Sequence, residues 1–236
     1  MDPRYTYLVL DLASVFFPLV LSFDKKVHFY TRWKFLFPAL FINALIFILW
    51  DEFFTRMGIW AFNPDYLLGI YIGSLPIEEW LFFLAIPYAC IFIYDCLKAY
   101  FKDFFQPLAR WVTLIAIPVF LLIGFFYIQH WYTAVTFLSL GLILGLHFAF
   151  FKTRFLGYFY FMWIVHLIPF FIINGYLTSL PVVLYNNAEN MGIRVGTVPF
   201  EDAFYSMLKL IIIVSIYEGL QVYFKKEKRF VKSFNN

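Results

Sequence analysis

Two pairs of acidic residues stand at matching places in the sequence, and their spacing is suited to proton transfer. The first pair is Glu78-Glu79 and the second is Glu201-Asp202. Each closes a seven-residue stretch that reads glycine, hydroxyl residue, aliphatic residue, proline, apolar residue, acid, acid. Each also opens a long apolar segment, where burial and neighbouring like charges favour the neutral acid form of a carboxyl group. We therefore take these four carboxyl groups as the candidate catalytic residues.

The acidic pairs also have a structural interpretation. Proline is favoured in the first turn of a helix, and an acid there complements the helix dipole. Adjacent helical residues point about 100° apart, so one carboxyl group of each pair can face a bundle while its neighbour faces a loop. We expect Glu78 and Glu201 to face inward as acid and base, with Glu79 and Asp202 tuning them. The sequence leaves open which of the inward groups is the acid.

The chain is an internal duplication. The second acidic stretch lies 123 positions after the first, and no gap is needed from Asp51 and Asn174 to Leu97 and Leu220. Self-similarity at a fixed spacing is the mark of a repeated structural unit. Identical residues recur in the second copy at Thr55, Asn63, Gly69, Ile70, Gly73, Pro76, Glu78, Ile93, Tyr94 and Leu97.

The composition indicates an integral membrane protein. Of the 236 residues, 63% are hydrophobic and 14% are charged, and the mean hydropathy is +0.78. Such a chain lacks the polar residues to cover a soluble surface. The basic residues lie in short loops, so we expect no nucleic-acid partner. Segments that match the roughly 20 apolar residues of a membrane span are 5–23, 33–50, 76–97, 109–129, 131–150, 156–174 and 199–223.

Lysine and arginine are concentrated in the loops on one side of the predicted membrane. This asymmetry predicts a multi-pass protein of the cell membrane, in contact with lipids, with its N-terminus outside and its C-terminus in the cytoplasm. The acidic pairs then lie at the outer face. We predict an all-α fold with two parallel three-helix repeats joined by a linker helix. The single membrane domain, 1–236, comprises repeat one (1–100), the linker helix (105–130), repeat two (131–225) and a basic tail (226–236) on the inner surface.

Aromatic residues follow both acidic pairs within about two helical turns. Their π faces could stabilise a carbocation, although ordinary packing is the alternative. We expect Trp60 and Tyr185, in the long loops before the acidic pairs, to lie at the membrane interface. With the two prolines, the candidate substrate-binding residues are Pro76, Trp80, Phe82, Phe83, Pro199, Phe204 and Tyr205.

Other charged residues lie inside the predicted spans. Asp11 is either a functional carboxylate or a hydrogen-bonded packing residue. Lys209 lies about 12 Å below the second acidic pair by helical rise, where we expect it to be neutral or paired, for instance with Asp11. Asp95 and Glu218 lie about 25 Å beyond the acidic pairs. We expect them to pair with Lys98 or with the basic tail.

We expect no metal and no cofactor. Cys90 and Cys96 are six positions apart in one predicted helix, so they do not face each other and predict no disulfide. No glycine-rich dinucleotide fingerprint follows a predicted strand, which argues against a flavin or nicotinamide domain.

The stretch PIEEWLFF, its echo PFEDAFY and the three-plus-one-plus-three layout resemble the small integral-membrane lycopene cyclases. That family includes two-subunit bacterial enzymes, fused single chains and the cyclase part of fungal fusions with phytoene synthase. The resemblance implies that this chain, without a synthase part, converts the end groups of lycopene or a related linear carotenoid to β-ionone rings without redox change. It assigns the family's acidic motif to the two acidic pairs, after Pro76 and Pro199. The oligomeric state, the number of ends cyclised and the ring type stay open.

Two other functions are compatible with seven spans. A retinal-binding protein would use Lys209 as its Schiff-base residue, but the third predicted helix carries carboxylates only near its ends, so no counter-ion is evident. A small-solute carrier with parallel three-helix repeats would often carry Pro-Gln pairs at helix kinks, and the sequence contains no such dipeptide.

Overall fold

Seven long helices make up most of the protein, because a segment in lipid must satisfy its backbone polar groups internally. The computed structural model describes the backbone of residues 2–234 and the side chains of residues 2–225. Within that part, seven helices are long and apolar enough to cross a membrane. They are α1 (Thr6–Leu21), α2 (Trp33–Arg56), α3 (Ile77–Tyr100), α4 (Gln106–Phe126), α5 (Trp131–Phe151), α6 (Leu156–Ser179) and α7 (Phe200–Phe234).

The predicted all-α membrane fold with seven spans is therefore confirmed, with differences at the helix ends. α2 continues to Arg56 and α6 to Ser179, several residues beyond their apolar runs. α3 begins one residue after Pro76, whose backbone is extended (φ −66°, ψ 152°). The division between the fourth and fifth spans falls in a short turn, 127–130, so the fourth helix ends earlier than predicted. The prediction for the basic tail concerns residues 226–236, whose side chains lie outside the described part of the chain.

The helices pack as pairs around a shared core. α1 packs against α3, and α5 packs against α7, while α2 contacts both α3 and α7. The helix α4 lies mainly on α5. Gly124 and Gly141 allow this close approach, because a Cβ at Gly124 would lie 2.6 Å from Leu138 and one at Gly141 would lie 2.8 Å from Leu121.

The loops before α3 and α7 share one structure, element by element. Gly73 and Gly196 occupy the first position of their hairpin turns with φ of 68° and 65°, a region that favours glycine. We call this side of the bundle, residues 58–76 and 181–199, the hairpin end. Its elements are β1 (Trp60–Phe62), a 3-10 turn (Pro64–Tyr66), β2 (Tyr71–Ile72) and β3 (Leu75–Pro76), then β4 (Val183–Tyr185), a 3-10 turn (Asn187–Glu189), β5 (Arg194–Val195) and β6 (Val198–Pro199).

The strands β1 and β4 join the two copies across the hairpin end. They pair antiparallel, and Ala61 faces Leu184, which is its own counterpart in the second copy. A strand pair in which a residue faces its counterpart is related by a local twofold axis. Trp60 and Tyr185 face each other in this strand pair, and their place at the membrane interface stays a prediction. Trp60 is buried, and both side chains line an internal cavity.

The opposite side of the bundle, at the loops 22–32, 101–105 and 152–155, is called the basic end. There the two copies exchange hydrogen bonds between α3 and α7. Tyr94 Oη donates to Glu218 at 2.9 Å, and Tyr217 Oη donates to Asp95 at 2.6 Å. Each phenol thus contacts the acid of the other copy, so the twofold relation extends through the bundle.

Both buried carboxylates at the basic end also have a cationic partner. Lys98 forms an ion pair with Glu218, which confirms that prediction. Asp95 pairs instead with Arg32, at 2.6 Å, because the loop after α1 brings this arginine to α3. These acids hold the basic end together and lie far from the hairpin end.

Candidate active site

The N-terminal ends of α3 and α7 meet at an internal cavity under the β1–β4 pair. The cavity measures about 70 Å³, which is room for about two water molecules. Every helix except α4 contributes to its lining, so the site forms only when the two copies come together. The polar and aromatic lining residues include Tyr7, Asp51, Trp60, Glu79, Phe82, Phe83, Tyr132, His166, Tyr185, Asp202, Tyr205 and Lys209.

The second acid of each pair faces this cavity and accepts phenol hydrogen bonds. Tyr7 Oη donates to Glu79 Oε2. Asp202 accepts from two phenols, since Tyr132 Oη donates to Oδ1 and Tyr185 Oη donates to Oδ2 at 2.8 Å. Burial, with the neighbouring Asp202 carboxylate, raises the pKa of Tyr185 well above its usual value. This phenol therefore stays protonated and remains a donor.

The first acid of each pair faces its own loop instead. Glu78 Oε1 accepts the backbone N–H of Leu68 at 2.7 Å, and Glu201 Oε1 accepts that of Met191 at 2.7 Å. Thr133 Oγ1 also donates to Glu201, at 2.5 Å. The expectation that Glu78 and Glu201 face the space between the copies is therefore wrong. The loop ahead of each helix folds back over its first turn, which a count of residues per turn does not reveal.

Lys209 extends into the cavity and ends among aromatic rings. Its Nζ lies 4.6 Å from the ring centroid of Phe82, 5.0 Å from that of Phe83 and 5.7 Å from that of Tyr205. We call these three rings the aromatic cage. A cation over such faces is attracted by the ring quadrupoles. In the described part of the chain Lys209 has no carboxylate within 4.0 Å, so the expected ion pair with Asp11 is not formed.

The predicted substrate-binding residues divide into groups. The ones that line the cavity are Phe82, Phe83 and Tyr205. Trp80 faces a separate apolar groove beside α1 and α2, and Phe204 packs against α5, with Phe137 at 5.0 Å between ring centroids. Pro76 and Pro199 lie buried in the hairpins, in β3 and β6. The prolines thus set where the acidic helices begin and do not line the cavity.

Comparison with known proteins shows to which family this chain belongs. The sequence profile of the family described as lycopene cyclase matches residues 4–97 and 129–220, which is more than half of the chain. This chain belongs to the lycopene cyclase family. The two matched stretches coincide with the two copies, each running from a first helix to the basic end of an acidic helix.

A curated protein also shows similarity to this chain. Over 105 residues the chain is 27% identical to the bifunctional lycopene cyclase/phytoene synthase of Podospora anserina. The aligned region is 44% of this chain and 16% of that protein, so the chain spans a small part of its relative's length. No solved structure matches the chain. The family resemblance inferred from the two acidic motifs is confirmed.

Sequence reasoning missed the phenols that serve the two acids of this lycopene cyclase family member. Tyr7 and Tyr132 occupy equivalent places, yet they lie 125 positions apart, two more than the frame of the acidic helices. An alignment of α1 with α5 at a spacing of 125 residues would have identified these two tyrosines. The same spacing makes Thr136 the counterpart of Asp11. Both side chains are buried, and within the described residues neither has a hydrogen-bond partner.

The structure also brings together groups that the sequence kept apart. Asp51 of α2 and Glu79 of α3 line the same cavity as Lys209 of α7. Sequence analysis found no evident counter-ion for this lysine, because it considered only the carboxylates of the third helix. The cavity draws its carboxyl groups from three helices.

Proposed function

We propose that this protein is a lycopene cyclase that closes the end groups of a linear carotenoid into rings by acid catalysis. The observation that carries this proposal is a buried carboxyl group, Glu79, beside an aromatic cage that surrounds the amine of Lys209. A hydrocarbon that dissolves in the bilayer can reach such a cavity without crossing water. Membership in the lycopene cyclase family supports the substrate class.

The reaction needs a proton donor, a stabilised cation and a proton acceptor. A proton from a carboxylic acid adds to the terminal double bond of the end group. The resulting carbocation is attacked by a nearby double bond, which closes the ring, and loss of a proton then restores a double bond. No electrons enter or leave, so the product is an isomer of the substrate and no redox cofactor takes part.

We assign proton donation to Glu79. Tyr7 donates to one of its carboxyl oxygens, Oε2, whereas among the described residues no side chain donates to the other. That second oxygen is free to hold the proton that is transferred. The donor stands beside Phe82 and Phe83, whose faces lie around the Lys209 amine and can stabilise a developing positive charge. The lysine side chain is a flexible four-carbon chain and can move out of the aromatic cage when an end group arrives.

Asp202 is assigned to the anionic role. Both of its oxygens accept phenol hydrogen bonds, which is an arrangement suited to a carboxylate rather than to a proton donor. A fixed negative charge in a cavity stabilises a carbocation, and the same carboxylate can take up the proton released after ring closure.

Glu78 and Glu201 then act as positioning residues. Each ties a loop N–H to the first turn of its helix and so fixes the neighbouring acid relative to the cavity. We further propose that the protein lies in the cell membrane with the hairpin end outside. The basic loops at the other end support that orientation.

The test is expression of this chain alone in cells that accumulate lycopene, followed by chromatography of the pigments. We expect cyclic carotenoids from the unchanged protein and from Glu78→Gln, and only lycopene from Glu79→Gln. Failure of the unchanged protein to form any ring, at confirmed membrane expression, overturns the proposal.

A second function is favoured by the surroundings of Lys209. Its amine lines one cavity with Asp51 and Glu79, a setting in which a Schiff base with a polyene aldehyde would have a counter-ion. Retinal added to the purified protein would then produce a visible absorption band that hydroxylamine bleaches. Its appearance in the unchanged protein and its loss in Lys209→Ala would support retinal binding over cyclisation.

A further inference from the structure

An apolar groove runs along the outside of the bundle between α1, α3 and α6. Its volume is about 430 Å³. Along α1 it covers residues 10–18, a length of about 12 Å by helical rise. We call it the lateral groove, and its walls include Ala13 and Phe17 of α1, Ala89 and Ile93 of α3, and Ile173 of α6.

The lateral groove adjoins the cavity that holds Glu79. Residues that line both spaces are Ile86, Cys90, His166, Phe170 and Asn174. The groove thus extends from the outer surface of the bundle to side chains that also line the acidic site. A substrate that enters from this side needs no route through the hairpin end.

Three polar side chains of the lateral groove form hydrogen bonds with backbone carbonyls of their own helices. Ser14 Oγ donates to the carbonyl of Leu10 at 2.5 Å, and Asn174 Nδ2 donates to that of Phe170 at 3.2 Å. His166 Nδ1 lies 2.9 Å from the carbonyl of Trp163. These polar groups are engaged within their own helices, so the walls present hydrocarbon to an occupant. That chemistry fits a polyene and not a polar solute.

The equivalent place between α5, α7 and α2 carries larger side chains at several of the corresponding positions. Ala89 and Cys90 of α3 correspond to Ile212 and Ile213 of α7, and Ile173 of α6 corresponds to Trp50 of α2. Trp50 stacks with Phe47 and meets Tyr205 edge to face, at centroid distances of 6.0 and 5.7 Å. Larger side chains thus stand at these three positions beside α2 and α7 than beside α3 and α6.

We propose that the lateral groove admits the linear polyene from the bilayer and holds its chain, so that one end group at a time reaches Glu79. This inference rests on the proposed cyclase function. The groove is too short for a whole C40 chain, whose remainder stays in lipid. A substrate with two ends must therefore leave and re-enter, and the one-ring product appears before the two-ring product.

The test blocks the lateral groove without touching the acids. Ala13→Phe adds bulk at an exposed groove position, and Ala89→Ile installs the residue of the second copy. The matched control is Ala149→Phe, an equally exposed alanine of α5 outside the groove. In liposomes containing lycopene we expect both groove variants to lose about tenfold or more in initial rate, since misplacing a substrate costs roughly that much. The control should keep the unchanged rate. Groove variants as fast as the control overturn the inference.

A binding measurement separates this inference from the proposed function. Cys90 lines the groove, and Cys96→Ala removes the other cysteine, so an apolar maleimide then reports on Cys90. Lycopene in the liposome should slow this labelling severalfold, and Ala13→Phe should abolish that protection. Protection of Cys90 by lycopene without any ring formation would contradict the cyclase proposal and support the assignment of the groove. Ring formation without protection would do the reverse.

Discussion

The two acids within each pair have opposite surroundings. Glu78 and Glu201 are near copies of one another, since each accepts the backbone N–H of the residue ten positions earlier in its loop. Glu79 and Asp202 are equally buried at the same helix position, yet one accepts a single phenol and the other accepts two. The duplication has kept the acids that fasten the loops and has changed the surroundings of the acids that face the cavity.

This contrast shows how a twofold frame can hold a site without twofold symmetry. The cavity lies between the copies, so any side chain that differs between them makes its two halves unequal. Tyr185 stands where the first copy has Phe62, and Lys209 stands where it has Ile86. Proton donation and proton acceptance are different tasks, and such a site can assign one task to each half.

Removal of the proton donor should have the largest effect. Glu79→Gln keeps the size of the side chain and can still accept the hydrogen bond of Tyr7, but it has no proton to transfer. We expect the rate of ring formation in lycopene-containing liposomes to fall by about a thousandfold, within the range for general acids. Glu78→Gln serves as the control and should retain most activity. Equal rates in the two variants would contradict the division of roles.

Neutralising the other cavity acid should cost less. Asp202→Asn removes the fixed charge while leaving groups that can bond to Tyr132 and Tyr185. We expect a loss of about thirtyfold to a hundredfold, because charge stabilisation is weakened while the donor is intact. The measurement is the same initial rate, at matched protein content. A loss greater than that of Glu79→Gln would reverse the assigned roles.

The loop-fastening acids should act on stability. Glu78→Ala and Glu201→Ala each leave a loop N–H without its charged acceptor, which typically costs about 1.5–3 kcal/mol. Glu201 also binds Thr133, so we expect its variant to lower the apparent melting temperature further than Glu78→Ala does. Thermal unfolding in detergent measures both. Unchanged melting temperatures with lost activity would show instead that these acids serve catalysis directly.

The smallest effect is expected at the phenol that differs between the copies. Tyr185→Phe, which copies Phe62, removes one of the two donors to Asp202 and should slow the reaction about threefold to tenfold. The raised pKa of Tyr185 keeps its phenol protonated from about pH 6 to about pH 9. The two rate profiles should therefore run parallel over that range. An alkaline decline present only in the unchanged protein would show that Tyr185 titrates there.

Much of the fold could be predicted because lipid leaves few choices. The apolar runs give the seven helices, and the repeat spacing gives two matching acidic helix starts. The position of each acid pair followed from proline and glycine chemistry just before it. The directions in which Glu78 and Glu79 point could not be predicted from the sequence. They depend on a loop that folds back over the first helical turn and offers its N–H group to one side only.

The sequence by itself determined the membrane class, the duplication and the identity of the acids, since these depend on composition, spacing and residue type. Only the tertiary structure decided which acid of each pair meets the cavity, which phenols donate to it and where an apolar groove adjoins it. Those features arise between helices far apart along the chain. Tyr7 and Glu79, or Cys90 and His166, become neighbours through packing, and no local pattern of residues records such a contact.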